Sequence, residues 1–371
     1  AAAHRSRPDL HAVTVGFDVA AYDERPLARL TARQVGITLD EELGATQPFS
    51  PDAIDEALRH HGQPFQDTSA FPTRAVSRAA RRHFKVVLSG DGGDELFSGY
   101  LANLRTAKLR QLGGGSLGGK ISGGLAALVS EFGKGESLKR ALTLNSAKGD
   151  GLLPHVMEGV FTDAAVLSLF EGTPWEREAR HRIGAMRDRS RVLWKEAREP
   201  NLAMSLFQLE QSLPQDILTK VDRMSMAESL EVRSAFLDSK LATYALSLPA
   251  RFKVTGAMGK LVLREALRER LPQEVLAAPK RGFNLPVRDW LGRSFWNELL
   301  REVADYAADS AAEMNTKAIA TIVRADELRC RETNSYRALH RAFLLYTFFR
   351  WRRSYAVGIA PSSPMLSAAQ P

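Results

Sequence analysis

The first hundred residues alternate between two kinds of segment, and this limits the available folds more than any other feature. HAVTVGF (11–17) is a short apolar, β-branched run with the character of a buried strand. RPLARLTARQVG (25–36) sets Leu27, Leu30, Ala32 and Val35 at helical spacing and closes on Gly36, a helix stop. TLDEEL (38–43) reads as a second strand. Ser50-Pro51-Asp52 opens a helix through His60, with serine as cap and proline at the first helical position. Another helix is predicted from Pro72 to His83, and KVVLSG (85–90) is a third strand. Strands separated by helices of roughly ten to fifteen residues predict a parallel sheet covered on both faces.

After residue 105 the alternation stops. Residues 111–136 (QLGGGSLGGKISGGLAALVSEFGKGE) are glycine-rich and read as a connection. Beyond them the pattern is helical over 175–199, 201–213, 215–233, 240–248, 259–270, 294–308 and 335–354. Residues 357–371 are rich in Pro, Ser and Ala, as in a disordered tail. The expected layout is an α/β part over 1–110, the connection over 111–136, a helical part over 137–356 and the tail.

Composition excludes several classes. With 44% hydrophobic and 25% charged residues, the 371-residue chain is neither disordered, collagenous nor a small disulfide-stapled protein. No run approaches the roughly 20 apolar residues that span a bilayer, and residues 1–12 lack the apolar core of a secretory signal. A single cysteine, Cys330, favours a reducing compartment, so a cytoplasmic location is expected. The net charge of +8 raises nucleic acid as a partner. Against it, basic residues are interleaved with acids, as in LVLREALRER (261–270). Arg350, Arg352 and Arg353 flank Phe348, Phe349 and Trp351, like a helix end packed on a core. No nucleic-acid or membrane partner is expected.

Two stretches imitate phosphate loops. Gly114 to Lys120 has the spacing of GxxxxGK, but Ile121 stands where Ser or Thr must reach magnesium, and no strand precedes it. Ser122-Gly123-Gly124 begins like an SGGxDS loop, yet Ala126 and Ala127 replace its Asp and Ser. Both read as linker.

The informative segment is KVVLSGDGGDELFSGY (85–100). Its strand ends at Ser89-Gly90, and ligands of open α/β sheets bind at that edge. Gly90, Gly92 and Gly93 let backbone approach a ligand and offer amide N–H groups to phosphate or ribose. Asp91, Asp94 and Glu95 put three carboxylates in one turn, and Asp91 and Asp94 would share a face if a helix starts there. Carboxylates beside bound phosphates need a hard cation between them, for which Mg²⁺ is the natural candidate.

SGDGGDELFSGY resembles the signature of the asparagine synthetase family, in its ATP-consuming C-terminal domain. QPFQDTSAFPT (63–73), LTKVDRMSMAESLEVRSAFLD (218–238) and APKRGFNLPVRDWL (278–291) resemble further family segments, in the same order. The resemblance covers residues 8–354. It implies a parallel sheet of the ATP-pyrophosphatase (adenine nucleotide α-hydrolase-like) type, missing its first strand, followed by a mainly helical region. It also implies a two-step reaction. The side-chain carboxylate of aspartate attacks the α-phosphate of ATP to give β-aspartyl-AMP and pyrophosphate, and ammonia then displaces AMP to give asparagine. The ammonia comes from glutamine, hydrolysed in a separate domain.

Residue by residue, the resemblance places Ser89 and Gly90 on the nucleotide and Val15 along the adenosine pocket through its backbone. Asp94 would help hold Mg²⁺ and pyrophosphate, Asp91 would take a proton from the attacking ammonia, and Lys280 would steady the triphosphate during adenylation. Many relatives carry Glu at the position of Asp91. Asp222, Arg223, Glu231 and Arg233 are expected to brace the cleft by ion pairs, and Ala235 replaces the family's usual Pro before Phe236-Leu237-Asp238.

Two family parts are not seen: the glutaminase domain with its terminal nucleophilic cysteine, and the SGGxDS loop that precedes the first strand. AAAHRSRPDL resembles the end of the helix after that loop. The chain by itself is therefore expected to be inactive, with a sheet that lacks its central strand and exposes two unpaired edges. Two other readings stay open: a relative that activates another carboxylate in polysaccharide, peptide or secondary-metabolite synthesis, and a non-catalytic basic binding protein. An acid rather than a tyrosine at position 91 favours ammonia chemistry. The oligomeric state is open, a homodimer included.

Overall fold

In the computed structural model, residues 6–17, 19, 22–43, 50–111, 147, 149–197, 199–279, 282, 287–309, 312–333 and 335–355 are described. Lys280, both imitation phosphate loops, the connection after Gln111 and the 357–371 tail lie outside them.

The βα pattern forms as its residues dictate. Strand β1 (His11–Gly16) leads into α1 (Arg25–Val35), which ends on Gly36 in the left-handed conformation, and β2 (Thr38–Leu43) follows. β2 returns parallel to β1, in register from His11↔Thr38 to Gly16↔Leu43. Helix α2 (Pro51–His61) starts as predicted, with the Ser50 hydroxyl accepting from Ala53 N at 3.1 Å. Helix α3 (Ala70–Arg81) precedes β3 (Val86–Ser89), the glycine turn and two helices, α4 (Gly93–Phe97) and α5 (Leu101–Gln111).

Next come α6 (Leu153–Glu158), α7 (Asp163–Phe170), α8 (Glu176–Glu196) and α9 (Pro200–Phe207). The pattern read as helices over 201–213 and 215–233 resolves differently. Gln208–Leu218 is a π-helix containing Pro214, which has no N–H to donate along an ordinary helix. Helix α10 (Thr219–Met226) then stops, and Glu231–Ser234 is a strand, β4. It pairs parallel with β3, from Val86↔Glu231 to Ser89↔Ser234, so the expectation of a helix through Arg233 is overturned. Four residues are too few to show a period of two, and the strand's hydrogen bonds come from a partner some 145 residues away.

The chain continues through α11 (Ser239–Ser247), α12 (Leu261–Ala266), α13 (Gln273–Ala277), α14 (Val287–Ala308), α15 (Thr316–Thr333) and α16 (Tyr336–Tyr355). Helices α5, α6, α7, α13 and α15 have no counterpart among the helices predicted from the sequence.

Among the described residues the parallel sheet is two separate pairs, β1–β2 and β3–β4. Val86 and Leu88 of β3 are 41% and 59% exposed. The main core unites the two halves of the chain. Ile54 and Leu58 of α2 pack with Met224, Phe295, Leu299, Val323, Phe343 and Tyr346. The basic end of α16 is neutralised as it packs: Arg350 bonds Asp55 and Glu298, Arg352 bonds Asp309, and Arg353 bonds Glu302. That arrangement opposes a nucleic-acid surface there.

Candidate active site

The carboxyl end of β3 delivers Ser89 into the glycine turn. Its hydroxyl donates to Asp91 Oδ2 at 2.7 Å and lies 3.4 Å from the hydroxyl of Ser234, its register partner on β4. A Cβ placed on Gly90 would meet nothing within 4 Å, so the backbone there lies open. Gly92 has φ +84°, and a Cβ on it would come within 2.3 Å of Leu237 Cδ2; any other residue would be strained and would clash. The turn rests on Leu96 and Phe97, which pack with Phe236, Leu237 and Ala245.

Asp91 and Asp94 do not share a helical face. Asp91 precedes the left-handed turn at Gly92, whereas Asp94 lies in the first turn of α4. Their partners differ accordingly: Asp91 accepts from Ser89, and Asp94 Oδ1 lies 3.0 Å from Lys260 Nζ. Glu95, the third acid of the segment, points into the core at 1% exposure and accepts from Tyr100 Oη at 2.7 Å. Burial pushes its carboxyl up and likewise raises the Tyr100 hydroxyl.

A cavity of about 840 Å³ opens beside the turn. Its walls include His11–Val13 of β1, Val86–Ser89 of β3, Gly90 and Asp91 of the turn, and Lys220 of α10. Ser89, Gly90 and Asp91 are thus brought to one cavity. Val15 is not among the residues lining it; it is buried at 3% exposure near the carboxyl end of β1. Lys280 lies outside the described residues.

The braces expected from the 218–238 segment are corrected. Asp222 and Arg223 lie 3.9 Å apart, Glu231 and Arg233 2.7 Å apart, and all four side chains are more than half exposed. These pairs join neighbours in sequence and do not tie elements together. The side chains that do tie the site together escaped the sequence reading. Lys220, in the same LTKVDR run, donates to Asp67 and Ser69. Lys260 reaches Asp94. Asp67 sits in QPFQDTSAFPT, flanked by the polar Gln66, Thr68 and Ser69, and its only signal was that this segment resembles the family's; Lys260 had none.

Against known proteins, the sequence model of the family described as asparagine synthase matches residues 1–352. A putative glutamine-hydrolysing asparagine synthetase of Mycobacterium bovis is 31% identical over 367 residues, covering 95% of this chain and 52% of that protein. Glutamine-hydrolysing asparagine synthetase 1 of Bacillus subtilis is 28% identical over 307 residues, 80% of this chain and 45% of that one. The human asparagine synthetase matches at 31% over 103 residues, 27% of this chain and 18% of its own. The chain therefore spans about half the length of the first two relatives.

Small parallel strand pairs among many helices, one of them ending in a glycine turn that carries carboxylates, define an α/β protein. More particularly, the chain belongs to the asparagine synthase family.

Proposed function

We propose that this chain is the synthetase domain of a glutamine-dependent asparagine synthetase, with the α/β part over 1–110 and the helical part over 137–356 building one nucleotide site. The reaction is the adenylation of aspartate by ATP, followed by amidation with ammonia derived from glutamine. The observation that carries this reading is the turn after β3, where the Ser89 hydroxyl bonds Asp91 beside an open Gly90 backbone at the carboxyl end of the strand.

A carboxylate is a poor electrophile, and joining it to AMP turns one oxygen into a good leaving group. Ser89 and Gly90 hold the nucleotide, and Lys280 offsets charge building on the triphosphate, where a fixed cation acts most strongly. Val15 lines the adenosine pocket. Asp91, oriented by the Ser89 hydroxyl, takes the proton that ammonia loses as it attacks.

Mg²⁺ would be held at Asp94 together with the substrate phosphates. No group of three or more His, Cys, Asp or Glu side chains able to hold a metal occurs among the described residues. Mg²⁺ usually takes one or two carboxylates plus phosphates, and at Asp94 it would have to displace Lys260, which pairs with that carboxylate. Bound there, it would neutralise phosphate charge. Among the described residues no helix is long and apolar enough to cross a membrane. The cytoplasmic setting we assign rests on the single cysteine.

Exchange of labelled pyrophosphate into ATP, measured for a panel of carboxylic acids on the protein that carries this chain, tests the reading. Exchange should depend on aspartate, and Lys280→Ala should abolish it. Exchange driven instead by another acid would move the protein to the relatives that activate other carboxylates, and none with any acid would remove the ligase reading.

A further inference from the structure

Arg264 of α12 spends its guanidinium on backbone. Nε donates to Gly259 O at 3.0 Å, Nη1 to Leu276 O, and Nη2 to Ala278 O at 3.2 Å. Among the described residues its bonds go to these carbonyls and to no carboxylate. A rigid planar fork serves three acceptors in three directions, which the single nitrogen of a lysine does not reproduce.

The two ends of this bridge are not held equally. At one end the backbone of Gly259 and Lys260 sits against the end of α4, the helix that carries Asp94. Lys260 N donates to Phe97 O at 3.1 Å, and a Cβ on Gly259 would lie 2.3 Å from Ser98 O. At the other end is α13, a helix of 5 residues, none of them buried. So short a helix is not stable by itself, and the last carbonyls of any helix lack intrahelical donors. Arg264 supplies donors to Leu276 and Ala278. Lys280 follows Ala278 by two residues, a span of at most about 7 Å.

We propose that Arg264 is a positioning residue, tying the chain that leads into Lys280 to the helix that follows the glycine turn. The inference rests on the role given above to Lys280, and Arg264 acts through backbone rather than on the reacting atoms. Lys280 counts most where charge builds on the triphosphate, and a misplacement of about 1 Å can cost about 10²-fold in rate. Ground-state binding of the nucleotide falls to Ser89 and Gly90, so a loosened tether lowers kcat and spares KM.

Amide hydrogen exchange, thermal unfolding and aspartate-dependent pyrophosphate exchange, on the protein that carries this chain, test this. The amides of Val275 and Leu276 donate to Pro272 O and report on α13. In Arg264→Met they should exchange about tenfold faster, with those of α2 unchanged. In the same variant kcat for pyrophosphate exchange should fall about 10- to 100-fold, with KM for ATP within about twofold and the unfolding midpoint unmoved. Arg264→Lys keeps the charge and loses the fork, so it should recover little of the rate.

Unchanged exchange at Val275 and Leu276 overturns the tether. Faster exchange there with an unchanged kcat overturns the positioning role, because a merely structural bond predicts that pattern. A fall in kcat matched by a lower midpoint, or full rate in Arg264→Lys, overturns it as well; the lysine variant decides the matter where Arg264→Met does not fold. A parent protein that exchanges no pyrophosphate with any acid sinks the ligase reading instead, and the hydrogen-exchange arm then decides the tether alone.

Discussion

Lys260 Nζ lies 3.0 Å from Asp94 Oδ1, and the pair is possible only because residue 99 has no side chain. A Cβ on Gly99 would sit 1.8 Å from that same oxygen and 2.6 Å from Lys260 Cε. Gly99→Ala must therefore displace the carboxylate or the backbone. We expect a loss of about 1–3 kcal/mol, as for overpacking elsewhere, read as a lower midpoint in urea. Gly184→Ala is the control. That glycine lies inside α8 with nothing within 4 Å of a built Cβ, so the change should stabilise by about 0.5–1 kcal/mol.

Asp91 and its donor Ser89 offer a test that separates the two chemical steps. On the proposed reading, Asp91→Asn spares pyrophosphate exchange and lowers amide formation by about 10²- to 10⁴-fold, the range for loss of a general base. Ser89→Ala removes the hydroxyl that orients the carboxylate and should show a smaller loss in the same step. Equal loss of exchange and amide formation in Asp91→Asn would assign Asp91 to the nucleotide instead.

The buried acids around Lys220 predict a pH dependence of stability with a definite sign. Burial, and then the charge of Asp67, push the Asp216 carboxyl from its usual 3.8 up to about 6. Between these values the folded state keeps a proton that the unfolded chain releases, so stability falls as pH rises through the window. Asp216→Asn should match the parent near pH 4 and exceed it at pH 8. Asp67 acts in the opposite sense. Its carboxyl is buried, but Lys220 holds it below its usual value, so that contribution is lost only as the pH falls below the carboxylate range. Denaturation midpoints across pH 4–8 for parent and variant would show the Asp216 effect, and extending them below pH 4 would show that of Asp67.

Arg350 joins three elements, bonding Asp55 of α2 and Glu298 of α14 from its place on α16. Its side chain is 13% exposed. Arg350→Met should cost about 2–4 kcal/mol, somewhat below a fully buried pair because both carboxylates keep some contact with water. The exposed Arg180–Glu176 pair on α8 is a useful contrast: Arg180→Met should change stability by less than about 0.5 kcal/mol. Equal effects would mean that burial does not set the strength of these pairs.

Much of the α/β half was legible because its signals are local. Ser50 caps α2, Gly36 ends α1 and Gly92 turns left-handed, each by a preference that the residue carries with it. The glycine turn after Leu88 and the family it resembles could likewise be read from one segment. The tertiary structure decided what depends on distant partners. Glu231–Ser234 became a strand because β3 supplies its hydrogen bonds, and Glu95 left the site because Tyr100 and a buried pocket received it. Lys220 and Lys260 entered the site because Asp67 and Asp94 meet them across the fold. A cap or a turn is fixed by a few neighbouring dihedrals, whereas a charge finds its task only when folding brings its counterpart within reach and removes the water between them.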